Sequence, residues 1–211
     1  MDADFYKNNK YKISRQRRDV VLSLVRASSK TVLDIGCSDG TLGAYIKEGG
    51  AKVHGIDIST DALAIAGERL DAVYQFDVTT QEWPADIAQT TYDTIILSEV
   101  LEHMFYPEHV LEKIKHISYA DTEIIVTVPN ILFWKNRLKI FFGSFEYTNK
   151  GLMDRGHIHF FSWKSLTSLV EKAGYHIERR AHVCPTRGTK WLGKIWPGLF
   201  AYQFVITIKH E

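Results

Sequence analysis

The stretch Thr31-Val32-Leu33-Asp34-Ile35-Gly36-Cys37-Ser38-Asp39-Gly40 constrains this chain more than any other. Val32, Leu33 and Ile35 form a short aliphatic run suited to a strand buried on both faces, and the run stops at Gly36. Gly36 and Gly40 bracket a turn in which positive φ is open and a ligand can approach main-chain N–H groups closely. Helical spacing then begins at Leu42, Tyr45 and Ile46, so the turn feeds a helix N-terminus with free donors and positive partial charge. This pattern predicts an α/β fold with a nucleotide-type ligand loop after its first strand.

Spacing narrows the ligand. A Gly-x-Gly-x-x-Gly fingerprint counted from Gly36 needs glycines at 38 and 41, where the chain has Ser38 and Thr41. What stands there instead is acid-x-Gly-x-x-x-Gly, with Asp34 ahead of the turn. A second strand over 51–57 ends in Asp57, which lies 21 positions after Gly36 (57 − 36). An acid at that tip is placed to accept hydrogen bonds from ribose hydroxyls. A cofactor with a ribose and no pyrophosphate fits. Asp77, followed by Val78, ends the third strand; it suits an adenine amino group with the apolar side chain on the ring, and equally a plain turn aspartate. Ser98-Glu99-Val100 ends the fourth strand, where ligands gather in open α/β sheets, although Glu99 also reads as a loop charge.

These segments, with His54-Gly55-Ile56-Asp57-Ile58-Ser59, Tyr92 to His103 and Gly156-His157-Ile158-His159-Phe160-Phe161-Ser162, resemble the class I S-adenosylmethionine-dependent methyltransferases. The resemblance runs from about Ser29 to Val183, four pieces in order at strand-helix intervals. It is strongest toward the small bacterial methyltransferases similar to MetW and to enzymes of surface-polysaccharide and small-molecule modification. It implies a Rossmann-like seven-stranded sheet in the order 3-2-1-4-5-7-6, the last strand antiparallel. It also implies S-adenosyl-L-methionine as cofactor and S-adenosyl-L-homocysteine as product. The residues expected to hold the cofactor are Asp34, Gly36, Cys37, Ser38, Gly40, Asp57, Ile58, Asp77, Val78, Ser98, Glu99 and Val100. The family often has glycine where this chain has Ser38, which predicts a less free backbone there.

The rest of the chain alternates in the same way. Strands are expected at 31–36, 51–57, 72–78, 92–98, 121–128, 175–183 and 201–209, and helices at 40–48, 59–70, 107–117 and 162–173. Pro107-Glu108 suits a first turn, and Ser162 and Ser165 punctuate the start of the helix that Gly174 ends. His176, Glu178, Arg180 and His182 alternate along a half-exposed edge strand, whereas Phe204, Val205, Ile206 and Ile208 suit a buried one. At 211 residues and 45% hydrophobic content the chain can bury one sizeable core, which predicts a single domain. Within it we expect an N-terminal arm or helix at 1–28, a cofactor core at 29–128, a lid or acceptor insertion at 129–160 and a C-terminal helix with two strands at 161–211.

Lys and Arg number 26 against 25 Asp and Glu, so no basic field argues for nucleic acid. Two distant cysteines, Cys37 and Cys184, form neither a disulfide framework nor a metal spacing, and residues 1–12 are polar and aromatic rather than a secretory leader. A cytoplasmic protein is expected.

His103, His157 and His159 fall near the expected mouth of the sheet. Of His157 and His159, two positions apart ahead of the last core helix, at most one is expected to face the pocket. His157 is the first candidate for a general base, with His159 and His103 behind it; surface or hydrogen-bonded histidine is the plain reading of each. No spacing promises the three or four convergent ligands of a zinc site, so no metal is expected. Trp134, Leu138, Phe141, Phe142 and Phe145 recur at helical spacing among Lys135, Asn136, Arg137 and Lys139, which predicts a lid, with membrane contact less favoured. The sum is methyl transfer to a hydroxyl or amine of a small molecule, plausibly a sugar or polysaccharide precursor. A non-catalytic cofactor-binding partner subunit and a peripheral membrane enzyme acting on a lipid-linked acceptor stay open beside it.

Overall fold

The computed structural model describes residues 13–185 and 187–210. The expected N-terminal arm is therefore seen from Ile13 onward, and 1–12 lie outside the described residues. In chain order the elements are α1 Arg15–Leu24, β1 Thr31–Ile35, α2 Thr41–Glu48, β2 Lys52–Asp57, α3 Thr60–Ala66, β3 Ala72–Gln75, α4 Ala85–Ala88 and β4 Thr94–Ser98. They continue with α5 Pro107–Ile114, β5 Glu123–Pro129, α6 Trp134–Phe141, α7 Trp163–Lys172, β6 Tyr175–Val183, α8 Arg187–Ile195, α9 Pro197–Phe200 and β7 Gln203–His210.

The seven strands form one sheet in the order β3-β2-β1-β4-β5-β7-β6. β1 through β5 pair in parallel, and β7 runs antiparallel between β5 and β6. Residue pattern explains the placement. Every residue of β5 is buried, as are the first four of β4: both carry an aliphatic centre, Ile124-Ile125-Val126 and Ile95-Ile96-Leu97, covered on both faces. β6 alternates between covered and open positions and forms the edge.

Strand alternation divides the core into two layers. Leu33, Ile35, Ile95, Leu97, Ile124 and Val126 face α5 and α7, packing with Val110, Leu111, Ile114, Leu166 and Val170. Val32, Ile96, Ile125 and Val205 face the other way, toward Val21 and Leu24 of α1, Leu42 and Ile46 of α2, and Leu63 of α3. Helix ends follow the local chemistry. Pro107 opens α5, and Ser162 and Ser165 make a reciprocal capping box on α7, with Gly174 just beyond its end at φ +71°.

Several boundaries differ from the sequence expectation. β3 stops at Gln75 because Asp77 Oδ1 accepts from the N–H of Thr79 while Gln81 Oε1 accepts from the N–H of Asp77, a turn that cannot continue the ladder. The helix expected at 59–70 ends at Ala66, where the N–H of Gly67 bonds back to Leu63 and Ile65 carbonyls. The connection before β7 contains two helices, α8 and α9. Among the described residues no helix is long and apolar enough to cross a membrane.

Candidate active site

The strand order turns back between β1 and β4, and loops leaving the two strands on opposite sides open a crevice at their carboxyl ends. A cavity of about 480 Å³ occupies that place. All the residues expected to hold the cofactor line it except Gly40, which sits behind as the N-cap of α2 at φ +73°. Gly36 is required at the turn: its φ is +72°, and a Cβ there would lie 2.6 Å from Val100 Cγ2. Ser38 takes φ +50°, so the serine adopts the left-handed backbone that glycine would adopt freely, at a cost of about 1–2 kcal/mol.

Asp57 holds that turn. Its Oδ2 accepts from the N–H of Ser38 at 2.8 Å and its Oδ1 from the N–H of Ser59 at 2.9 Å. These bonds fix the carboxylate at the tip of β2 and leave lone pairs on both oxygens. Burial pushes its pKa up, partly countered by those amides. Asp34, only 1% exposed, has an Oδ2 with no hydrogen-bond partner. Burial, and next the charge of Asp57, raise its pKa to about 7, with Arg17 acting in the opposite sense. Asp77 is half open; burial works against its ionisation, but the hydroxyl and amide of Thr79 outweigh it and hold the carboxyl below its ordinary range. Cys37 lines the cavity as an inert group, since burial drives its thiol pKa far upward.

The carboxyl end of β4 is more elaborate. Glu99 stands at φ +63°, an unusual backbone for a glutamate, and its N–H donates to Thr127 Oγ1 at 3.0 Å. Its side chain is buried against Arg17 of α1, with Arg17 Nη1 3.1 Å from Glu99 Oε2, and Gln203 Nε2 of β7 donates to the same oxygen at 2.9 Å. Three elements distant in sequence thus converge on one carboxylate. The following turn, Leu101–His103, buries Glu102 completely, and burial followed by the charge of Glu99 holds that carboxyl well above the usual range.

The three expected histidines separate by depth. His103 lines the cavity, and its Nδ1 donates to the carbonyl of Gly156 at 2.8 Å. His157 is buried behind it, ring centroids 5.0 Å apart, with Nδ1 donating to Leu152 O at 3.3 Å. Burial, and next the neighbouring His103, push the pKa of His157 down. His159 donates from Nε2 to the carbonyl of Phe105 and does not itself line the cavity. Of the three, His103 is the one that lines the cavity. The N–H groups of Ile158 and His159 both bond the carbonyl of Glu102, which ties 156–159 to the turn after β4.

The family model described as "Methionine biosynthesis protein MetW" matches residues 15–208. The chain belongs to the MetW family. Among curated relatives, a ubiquinone biosynthesis O-methyltransferase of Aeromonas salmonicida (strain A449) is 30% identical over 174 residues, 78% of this chain and 71% of that protein. One of the same description from Paraburkholderia xenovorans (strain LB400) is 34% identical over 112 residues, 50% of this chain and 48% of that protein. This MetW-family chain spans under half the length of several of the curated relatives it matches. Among solved structures, magnesium protoporphyrin IX methyltransferase from Synechocystis PCC 6803 with bound SAH superposes with TM-score 0.66 at 18% identity, over 99% of this chain and 94% of that one. The fold is the Rossmann-like fold of class I methyltransferases, with the strand order expected for them.

Sequence reading missed several residues of this MetW-family site. Arg17, Met104, Phe105 and Arg155 line the cavity, and Gln203 braces Glu99 from the far end of the chain. Arg17 sits in Arg15-Gln16-Arg17-Arg18, where nothing local separates the buried arginine from its more open neighbours.

Proposed function

We propose that this chain binds S-adenosylmethionine in the cavity at the carboxyl ends of β1 to β4 and transfers its methyl group to the hydroxyl of a small, largely apolar acceptor. The observation that carries the reading is the pair Asp34 and Asp57. A cofactor bearing a sulfonium and an ammonium meets two buried carboxyls, one of them with an oxygen lacking any partner. Asp57, held by two backbone amides, suits ribose hydroxyls, while Asp77 and Val78 suit an adenine edge and face. A volume of about 480 Å³ falls within the range of small-molecule sites.

When bound, the cofactor supplies an already activated methyl electrophile. The chain's own task is to orient the acceptor in line with it and to exclude water. Met104, Phe105 and Ile158 give the remaining wall apolar surface, with His103, Asp154 and Arg155 as its polar side chains. This lining favours a flat hydroxylated ring over a sugar, which would ask for more hydrogen-bond partners. The names of the curated relatives, which describe O-methyltransferases of ubiquinone biosynthesis, support the same choice. His103 is the proposed acceptor of the hydroxyl proton. A carbonyl oxygen only accepts, so Nδ1 carries the hydrogen toward Gly156 and Nε2 keeps its lone pair.

A labelled-methyl transfer assay against phenols, catechols and sugars tests the reading. Turnover on an aromatic hydroxyl is expected, and His103→Ala should lower it by about 10²–10⁴-fold with S-adenosylhomocysteine affinity retained. Tight cofactor binding with no turnover on any acceptor, together with co-purification of another enzyme, would instead make the chain a binding partner subunit.

A further inference from the structure

Behind the cavity wall, Glu102 is 0% exposed and neither of its carboxylate oxygens has a hydrogen-bond partner. A buried carboxyl without partners is costly unless it stays protonated or is met by a cation or a strong donor. Glu102, His103 and His157 each offer a ligand atom, and these atoms all lie within 4.8 Å of one another. Both imidazoles spend Nδ1 on a backbone carbonyl, His103 on Gly156 and His157 on Leu152. That arrangement fixes the tautomer and leaves Nε2 as a lone-pair donor, the outer-partner pattern of metal-binding histidines. The backbone holds the group in place: the Glu102 carbonyl accepts from Ile158 and His159, locking the turn after β4 to the 156–159 turn. Gly156 makes room for it, since a Cβ there would lie 3.2 Å from His103 Nδ1.

We propose that Glu102, His103 and His157 bind a divalent transition-metal ion at the edge of the cavity. Two imidazoles and one carboxylate suit Zn²⁺, Mn²⁺ or Fe²⁺ and leave coordination positions open. Arg17, whose charge also acts on Glu102, is paired with Glu99 at 3.1 Å. Because His103 lines the cavity, the open positions face the acceptor's side. On the reading of the chain as an O-methyltransferase, the ion would take the acceptor oxygen as a ligand and polarise its O–H bond. The proton then leaves to solvent, the O–CH₃ bond forms and the S–CH₃ bond breaks with its electron pair on sulfur. With the ion bound, His103 Nε2 would be a ligand, and the proton-accepting role proposed for it above would belong to the metal-free chain.

The test is metal binding itself, measured on tag-free full-length protein stripped by chelator. Elemental mass spectrometry after dialysis against Zn²⁺ or Mn²⁺, with calorimetry, should give one ion per chain. Glu102→Gln, nearly isosteric, and His157→Ala should weaken binding by at least the about 10- to 100-fold that loss of an outer partner causes. The exposed His116, replaced by Ala, should leave the stoichiometry unchanged. S-adenosylhomocysteine calorimetry on each variant reports whether the cavity is still folded; if His157→Ala fails this check, Glu102→Gln decides. Wild-type protein that takes up neither ion, or folded Glu102→Gln that binds as tightly as wild type, overturns the site. A bound ion with no methyl transfer would sustain the metal site and count against the proposed function alone.

Discussion

Asp34 carries the clearest consequence of a single residue. Its carboxyl is raised to about 7 by burial and by the charge of Asp57, from an ordinary 3.8. The folded chain therefore binds more protons than the unfolded one between those values, and this group's contribution to stability falls as pH rises through that window. A cationic ligand beside it reverses the preference and favours the carboxylate. S-adenosylhomocysteine, which keeps the ammonium, should bind more tightly as pH rises from about 5 to 8, releasing a proton on binding at the acid end. Calorimetry in two buffers of different ionisation heat measures that release, and Asp34→Asn should abolish it. Affinity that falls over the same range would remove Asp34 from the ligand's surroundings. Asp34 and Asp57 were legible in the sequence because a strand end and a glycine turn place them by local rules. Arg17, Glu102 and Gln203 were not, since their roles arise where α1, β4 and β7 meet, and no spacing encodes that meeting.

At the scale of elements, the strands were legible because burial on both faces demands aliphatic runs, which β1, β4 and β5 supply. α6 shows what periodicity leaves open. Helical spacing of Leu138, Phe141, Phe142 and Phe145 suggests a covered face, yet Phe141 and Phe142 are 81% and 79% exposed. The residue of α6 that turns inward is the polar Asn136, which donates to the carbonyl of Ile131. None of 131–147 lines the cavity in this conformation. An apolar patch of this kind beside Lys135, Arg137 and Lys139 is kept for something that covers it. If the helix closes over bound ligands as a lid, trypsin cleavage at Lys135 to Lys139 should slow when S-adenosylhomocysteine and an acceptor are both present. Cleavage unaffected by ligands but suppressed by anionic vesicles would make the patch a membrane contact instead.

For the whole molecule, one twisted sheet divides two apolar layers and presents its strand ends to a single cavity. The sheet order was legible through resemblance, while the alternating β6 and buried β7 were legible from pattern alone. Cofactor, acceptor and metal chemistry all depend on that cavity being a nucleotide-cofactor site. Calorimetric titration of S-adenosylhomocysteine into wild type and Asp57→Ala tests this most directly. Wild type should bind one equivalent, and Asp57→Ala, its fold verified by circular dichroism, should bind more weakly by about 1.5–3 kcal/mol, the loss expected for hydrogen bonds to a charged group. No binding by wild type, or equal affinity in the folded variant, would contradict the assignment of the cavity.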